Sequence, residues 1–537
     1  MSVPRSSVHD CWYLYGFPGV TCTDSLVLSE TVVKVLPGGI GSRGSGARTQ
    51  GWVGMGEVVR TRSGAVRGLS ENGVSVFRGI PYAAPLRGPL RFQAPLPAPG
   101  WDGVRDARSF AASVPQPAHP QAPRAGASPE CLTVNVWTPR SERGDLPVMV
   151  WLHGGGFIGG SANSPDFEGT ALARQGVVLV TVNYRVGYEG FGWVADAPCN
   201  RGVLDQIAAL GWVQENIAAF GGDPGRVTVF GQSAGASSIA ALMCGGDSHG
   251  LFQRTIAQSP GNVFVPFDEA RAVSKMITEE LGVQPTAEAL AALSPEAIHA
   301  VQWNPVLVMS AEPSAWSHPH SPYACVLDGE LLDERPWAAM RRTGAGRSID
   351  LLCGATAEEA RIFTAGQDPA EADPVRAARS MGLDTAEVRD YRRAFPGITD
   401  ADLTTLIASD AMFRMPARWC AQAHAGSGGR TYLYEFAWVG NPALGACHGL
   451  DVPFTFGVPT GPLGADLLGV AVPDEFETLS AAMRDAWVSF ATTGDPGWPR
   501  YEPDDWLARV WELPPAVRAD PTATSGAIWD CRPNSRP

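Results

Sequence analysis

A serine hydroxyl attacks a carbonyl only when a base takes its proton and fixed donors hold the charge that develops on the carbonyl oxygen. Gly231-Gln232-Ser233-Ala234-Gly235 presents such a serine. The apolar run Val227-Thr228-Val229-Phe230 precedes it and Ala236-Ser237-Ser238-Ile239-Ala240-Ala241-Leu242 follows, so Ser233 falls where a strand turns into a helix. Glycines on both sides clear a tight corner of side chains, and the strained turn pushes the hydroxyl out at the carboxyl end of a parallel sheet. In a chain with 61 glycines the pentapeptide is weak evidence by itself. It predicts a histidine, an acid to orient it and backbone N–H donors for an oxyanion.

The donors come from upstream. Pro147-Val148-Met149-Val150-Trp151-Leu152 is an apolar strand that runs directly into His153-Gly154-Gly155-Gly156-Phe157. Three glycines leave backbone N–H groups uncovered, and in α/β-hydrolases a loop of this form meets the amide that follows the serine. The expected donors are Gly155, Gly156 and Ala234. Taken alone, the loop could also be a glycine turn that serves only chain reversal, the lesser reading.

With these two motifs on one chain, the sequence resembles the type-B carboxylesterases, a family that also contains the cholinesterases and the bacterial para-nitrobenzyl esterases. Phe77-Arg78-Gly79-Ile80-Pro81-Tyr82-Ala83, Leu90-Arg91-Phe92 and Cys131-Leu132-Thr133-Val134-Asn135-Val136-Trp137-Thr138-Pro139 resemble the family's amino-terminal blocks in order. Asn200 to Gln206, Phe220 to Pro224, Gly250-Leu251-Phe252, Asp328-Gly329 and Thr493-Gly494-Asp495-Pro496 extend the likeness over about residues 58 to 510. The resemblance implies an α/β-hydrolase fold: a large, mostly parallel central sheet flanked by helices, with insertions forming a gorge and cap.

The order serine, acid, histidine is the one expected of such a fold. Ile349-Asp350-Leu351-Leu352-Cys353-Gly354 reads as a short strand, and Glu359 and Phe363 after it resemble the family's spacing of acid and phenylalanine. Glu359 is the expected acid. Glu358 competes with it, and Ala360 stands where the family usually has glycine. Gly445-Ala446-Cys447-His448-Gly449-Leu450-Asp451-Val452-Pro453-Phe454 resembles the histidine loop, which makes His448 the expected general base.

Other chemistry is weaker. Of nine histidines, His153 reads as shaping the glycine loop, and the His318/His320 pair around Pro319 lacks the companion ligands of a metal site. Cys447 beside His448 reads as a buried, inert thiol, because the elbow puts serine at the attacking position. No cofactor and no metal are expected. Gly39, Gly41 and Gly44 match a dinucleotide-loop spacing, but Pro37 and the residues after the glycines give no helix to receive a phosphate.

A net charge of −14 argues against nucleic acid, which needs lysine and arginine in excess. No apolar run reaches the length that spans a bilayer. The partner expected is a small-molecule ester, and the oligomeric state is left open. Residues 1–54 lie outside the resemblance, carry a low-complexity stretch and lack the pattern of a signal peptide; they read as an extension or a misassigned start before one catalytic domain over 55–537. Val114 stands where the resemblance implies the disulfide partner of Cys131 in secreted members, and the loop between them is short. Both departures point to a reducing cytoplasm and away from choline esters.

Alternation supplies the frame. Strands are expected near 148–152, 177–183, 227–230, 349–353 and 431–438, with helices such as Val203 to Phe220 between them. On that helix Leu204, Ile207, Ala208, Leu210, Trp212, Val213 and Ile217 form the expected core stripe. Trp151, Trp193, Trp303, Trp316 and Trp438 are candidates to line a pocket, although most of 17 tryptophans should simply pack. The reaction expected is ester hydrolysis through an acyl-enzyme, with activity rising around pH 6 to 7 as an ordinary histidine loses its proton, roughly. An aryl carbamate or amide hydrolase would use the same residues, and a noncatalytic adhesion protein of this fold would be expected to lack the serine or histidine. Gln232 stands where many members of the resembled family have glutamate; a neutral amide there removes an anion beside the site and is expected to weaken any preference for cationic alcohols.

Overall fold

The computed structural model describes residues 57–71, 73–117, 128–139, 144–311, 321–469 and 471–530. The expectations for residues 1–54, the glycine spacing at 39–44, Trp316 and the His318/His320 pair lie outside these residues.

Valine, isoleucine and leucine runs form an eleven-stranded sheet because they can bury both faces of a pleated strand. From one edge its strands are Ala516–Ala519, Leu507–Trp511, Thr431–Phe436, Asp350–Thr356, Arg254–Gln258, Gly222–Gln232, Leu146–Leu152, Val178–Val182, Thr133–Pro139, Val74–Pro81 and Leu69–Glu71. The strands from Leu507–Trp511 through Val178–Val182 are mutually parallel, and antiparallel strands close both edges. This is an α/β-hydrolase fold.

Period-two alternation divides the core. Val148, Val150, Leu152, Val227 and Val229 pack on one face with the helices Arg201–Asn216 and Ala234–Cys244. Met149, Trp151, Phe230, Ile256 and Tyr434 pack on the other with Phe476–Thr493, whose Phe476, Leu479, Met483, Trp487 and Phe490 recur at helical spacing. Trp151 sits among Phe230, Phe456 and Phe167 with ring centroids 4.8, 4.9 and 5.1 Å away. Trp151 and Trp438 are core residues, and Trp193 and Trp303 pack against the core.

One stripe differs from expectation. On Arg201–Asn216 the residues Leu204, Ile207 and Ala208 are only partly buried, whereas Arg201, Asp205 and Gln206 are fully buried. Polar anchors set this rotation. The Arg185 guanidinium donates two hydrogen bonds to Asp205, at 2.7 and 2.8 Å, and the Arg201 guanidinium donates to carbonyls of Tyr188, Glu189, Gly192 and Pro198. A buried charge must be paired, so these contacts outrank the apolar pattern.

Two long segments interrupt the sheet order, residues 259–349 and 357–430, and the described residues of both are mainly helical. The second carries Phe363 and Phe413 to the carboxyl edge of the sheet, where the expected site residues gather.

Candidate active site

Register brings the site together. Leu152 lies beside Gly231, Gln232 beside Gln258, and Gln258 beside Gly354, so the loops after four neighbouring parallel strands emerge side by side. Ser233 sits between its strand and the helix Ala234–Cys244 with φ 57° and ψ −121°. A left-handed serine costs about 1–3 kcal/mol unless its surroundings fix it. Here its N–H donates to Gln258 O at 2.9 Å, and its carbonyl accepts from Ser237 N at 2.9 Å. The flanking glycines answer to the neighbouring strand: a Cβ on Gly231 would lie 2.6 Å from the Leu152 carbonyl oxygen, and one on Gly235 would strike the same atom.

The glycine loop abuts the serine, since a Cβ on Gly154 would lie 3.2 Å from Ser233 Cβ. Gly155 and Gly156 take φ 114° and 62°. Among the described residues, the N–H groups of Gly155, Gly156 and Ala234 donate to no acceptor. His153 orders this loop. It is fully buried, stacks on Tyr184 with centroids 4.3 Å apart, and donates from Nδ1 to Gly154 O at 2.8 Å. A trans peptide points its C=O and N–H in opposite directions, so anchoring the Gly154 carbonyl aims the Gly155 N–H away from His153. Burial pushes the His153 ring down to about 4, which keeps it neutral and able to play this part.

The acid and histidine meet directly. Glu359 is fully buried, and its Oε2 accepts from Nδ1–H of His448. Its Oε1 accepts from Ser259 Oγ at 2.6 Å and from Thr356 N at 2.7 Å. Three contacts fix this carboxylate. The backbone docks the two loops as well: His448 N donates to Glu359 O at 3.0 Å, and Glu358 N donates to Ala446 O at 2.9 Å. Glu358 faces elsewhere, accepting from Ala446 N at 3.1 Å and binding the Arg361 guanidinium. The two neighbours thus part, Glu359 meeting the imidazole and Glu358 the histidine-loop backbone and Arg361.

Nε2 of His448 is 3.0 Å from Nε2 of Gln232, and the Ser233 hydroxyl makes no hydrogen bond among the described residues. The imidazole plane lies against Phe413, with centroids 4.0 Å apart and 26° between planes. Phe413 belongs to a single π-helical turn, Asp410–Arg414, such as often marks a functional site. Arg414 braces the turn internally on Asp410 at 2.6 Å and ties it to Glu435 of the sheet at 3.0 Å.

A second buried carboxyl lies behind the histidine. Asp451 Oδ2 accepts from Gln258 Nε2 at 2.9 Å and Tyr434 OH at 2.8 Å, while Oδ1 has no partner among the described residues. Burial raises its pKa to about 6, against the pull of those two donors. Burial, with the Glu359 charge next, pushes the Cys447 thiol up to about 12, so it carries no thiolate at neutral pH. Among the described residues, no group of three or more His, Cys, Asp or Glu side chains gathers as metal ligands.

Sequence reasoning missed Ser259, Phe413 and Asp451 as parts of this constellation. Ser259 had a faint signal, a polar residue closing an apolar strand just before Pro260. Asp451 lay in the quoted histidine loop without a role. Phe413 had none, because a π turn leaves no mark in hydrophobic periodicity.

The model of the carboxylesterase family matches residues 55–511. The chain is 34% identical to the para-nitrobenzyl esterase of Bacillus subtilis over 487 residues, which cover 87% of this chain and 96% of that protein. It is 36% identical to the fumonisin B1 esterase of Sphingopyxis macrogoltabida over 474 residues, covering 83% and 84% of the two. The crystal structure of a Geobacillus stearothermophilus carboxylesterase superposes with a TM-score of 0.78 at 35% identity, covering 88% of this chain and 99% of that one.

Proposed function

The chain belongs to the carboxylesterase family, and from that premise we propose that it hydrolyses carboxylic esters of small to medium acyl groups through an acyl-enzyme on Ser233. The observation that carries the reading is the alignment of Glu359 on Nδ1 of His448 beside a serine held at φ 57°. Glu359 fixes the tautomer with Nδ1 protonated, which leaves Nε2 as the base. His448 turns Nε2 to the Ser233 hydroxyl and takes its proton as Oγ attacks the ester carbonyl. The imidazolium that forms is stabilised by the buried Glu359 carboxylate. Gly155, Gly156 and Ala234 donate to the oxyanion, which is where charge develops.

Collapse of the tetrahedral intermediate breaks the bond to the alcohol, and Nε2–H of His448 protonates the departing oxygen. Water then gives a proton to the same nitrogen, attacks the acyl carbonyl and releases the acid, regenerating Ser233. Gln232 in place of an anion favours neutral aryl and alkyl alcohols over cationic ones. We place the reaction in one catalytic domain over 55–537 and in a reducing cytoplasm, on the ground that Val114 leaves Cys131 free. No helix among the described residues is long and apolar enough to cross a membrane.

Hydrolysis of para-nitrophenyl butyrate by the wild type, Ser233→Ala and His448→Ala tests the reading, with an aryl carbamate run in parallel. Ester turnover that vanishes in both variants is expected. Turnover that survives Ser233→Ala would contradict the nucleophile, and a faster carbamate rate would move the substrate class.

A further inference from the structure

Nδ1 of His448 faces a carboxylate and carries the ring proton, so Nε2 of the neutral ring presents a lone pair. An amide can meet that lone pair only through its N–H, and Nε2 of Gln232 lies 3.0 Å from it. The contact is built in. Gln232 is 5% exposed and ends the strand Gly222–Gln232. Its amide is walled on the Oε1 side by the glycine loop, where a Cβ on Gly154 would come within 2.8 Å, and it borders the histidine loop, where a Cβ on Gly449 would lie 3.7 Å from Nε2. It therefore touches the loop that offers donors, the strand that ends in the nucleophile and the base itself.

We propose that Gln232 is a positioning residue that latches neutral His448 in the resting enzyme, occupying the lone pair Ser233 needs until an entering ester displaces it. This rests on the reading of Ser233 and His448 given above. The latch has a sign. A donor aimed at a lone pair stabilises the unprotonated ring, because the imidazolium would set N–H against N–H. Removing the donor therefore takes away a contact that only the neutral ring can make.

The other charged and titratable groups around the ring are accounted for by fixed partners. Glu359 binds Nδ1, Glu358 binds Arg361, and Asp451 is held by Gln258 and Tyr434. Cys447 is buried, and Arg414, on the turn that carries Phe413, pairs with Asp410 of the same turn and with Glu435 of the strand Thr431–Phe436. None of these contacts involves Gln232. A substitution there isolates the amide.

The test compares kcat/KM for para-nitrophenyl butyrate from pH 5 to 9 in wild type, Gln232→Met and Gln232→Glu, together with the rate at which a neutral fluorophosphonate labels Ser233. Methionine keeps the length and removes the donor. Its acidic limb is expected to move up by about 0.5–1 pH unit, the worth of one neutral hydrogen bond. The carboxylate of Gln232→Glu, which favours imidazolium, moves it further. Above the limb, labelling of Gln232→Met runs about two- to fivefold faster than wild type, because nothing competes for Nε2. A limb that stays or falls in Gln232→Met overturns the latch, as does slower labelling. A folded wild type that neither turns over nor labels at Ser233 overturns the triad, and the latch with it.

Discussion

Ser259 donates its hydroxyl to Oε1 of Glu359 at 2.6 Å, on the carboxylate oxygen opposite the one that meets His448. The strand Arg254–Gln258 thereby reaches across to the acid that follows its neighbour, and Ser259 itself is held at φ 53° with its N–H on Gly354 O at 2.7 Å. A hydrogen bond to a buried carboxylate contributes about 2 kcal/mol. Ser259→Ala is expected to lower kcat roughly tenfold with little change in KM, since the acid loses orientation and the substrate loses no contact. Steady-state kinetics with para-nitrophenyl butyrate checks it. An unchanged kcat would mean that Thr356 N alone fixes the carboxylate.

His153 is expected to act through the glycine loop. His153→Phe keeps an aromatic ring on Tyr184 and loses the donor to Gly154 O, so Gly155 N–H is no longer held in place. Kcat should fall about tenfold or more, as for partial loss of an oxyanion donor. His153→Asn should recover much of this, because its amide N–H stands as many bonds from the backbone as Nδ1. Inhibition by a trifluoromethyl ketone, whose adduct carries the oxyanion, should weaken in step with kcat.

Phe413 buries one face of the imidazole. An aromatic stack contributes about 0.5–1.5 kcal/mol beyond its buried area, so Phe413→Ala should lower kcat/KM roughly five- to tenfold, and Phe413→Leu should lower it less. Thermal melts alongside the kinetics separate a loosened base from a loosened fold.

Asp451 predicts a pH dependence of stability. Its pKa is raised by burial to about 6 from an ordinary 3.8, so the folded state holds a proton that the unfolded state releases between these values. Unfolding free energy therefore falls as pH rises through that window. The stability of wild type relative to Asp451→Asn should drop by roughly 3 kcal/mol between pH 3.5 and pH 7. Urea denaturation of both proteins across that range checks the slope. A constant difference would contradict the buried, proton-holding carboxyl.

Much of the fold was legible because its signals are local and periodic. Val148 to Leu152 and Val227 to Phe230 are short, valine-rich apolar runs that suit a strand buried on both faces, and the glycine-flanked Ser233 marks its own corner. Motif and order singled out Ser233, Glu359 and His448, and spacing favoured Glu359 over Glu358 as the carboxylate that meets the imidazole, which is the contact the structure has. What stayed hidden depends on contacts between distant segments. The rotation of the helix Arg201–Asn216 is set by the Arg185–Asp205 pair, which outweighs its apolar stripe. Phe413 reaches His448 from a π turn, and Gln232 meets the imidazole across two loops. Residue type announces neither contact.

Covalent capture tests the central claim most directly. Wild-type protein treated with a fluorophosphonate, digested and mapped by mass spectrometry should carry one adduct, on the peptide containing Ser233, at a rate strongly reduced in His448→Ala and abolished in Ser233→Ala. An adduct on another residue, or undiminished labelling without His448, would contradict the account of a serine activated by the His448–Glu359 pair.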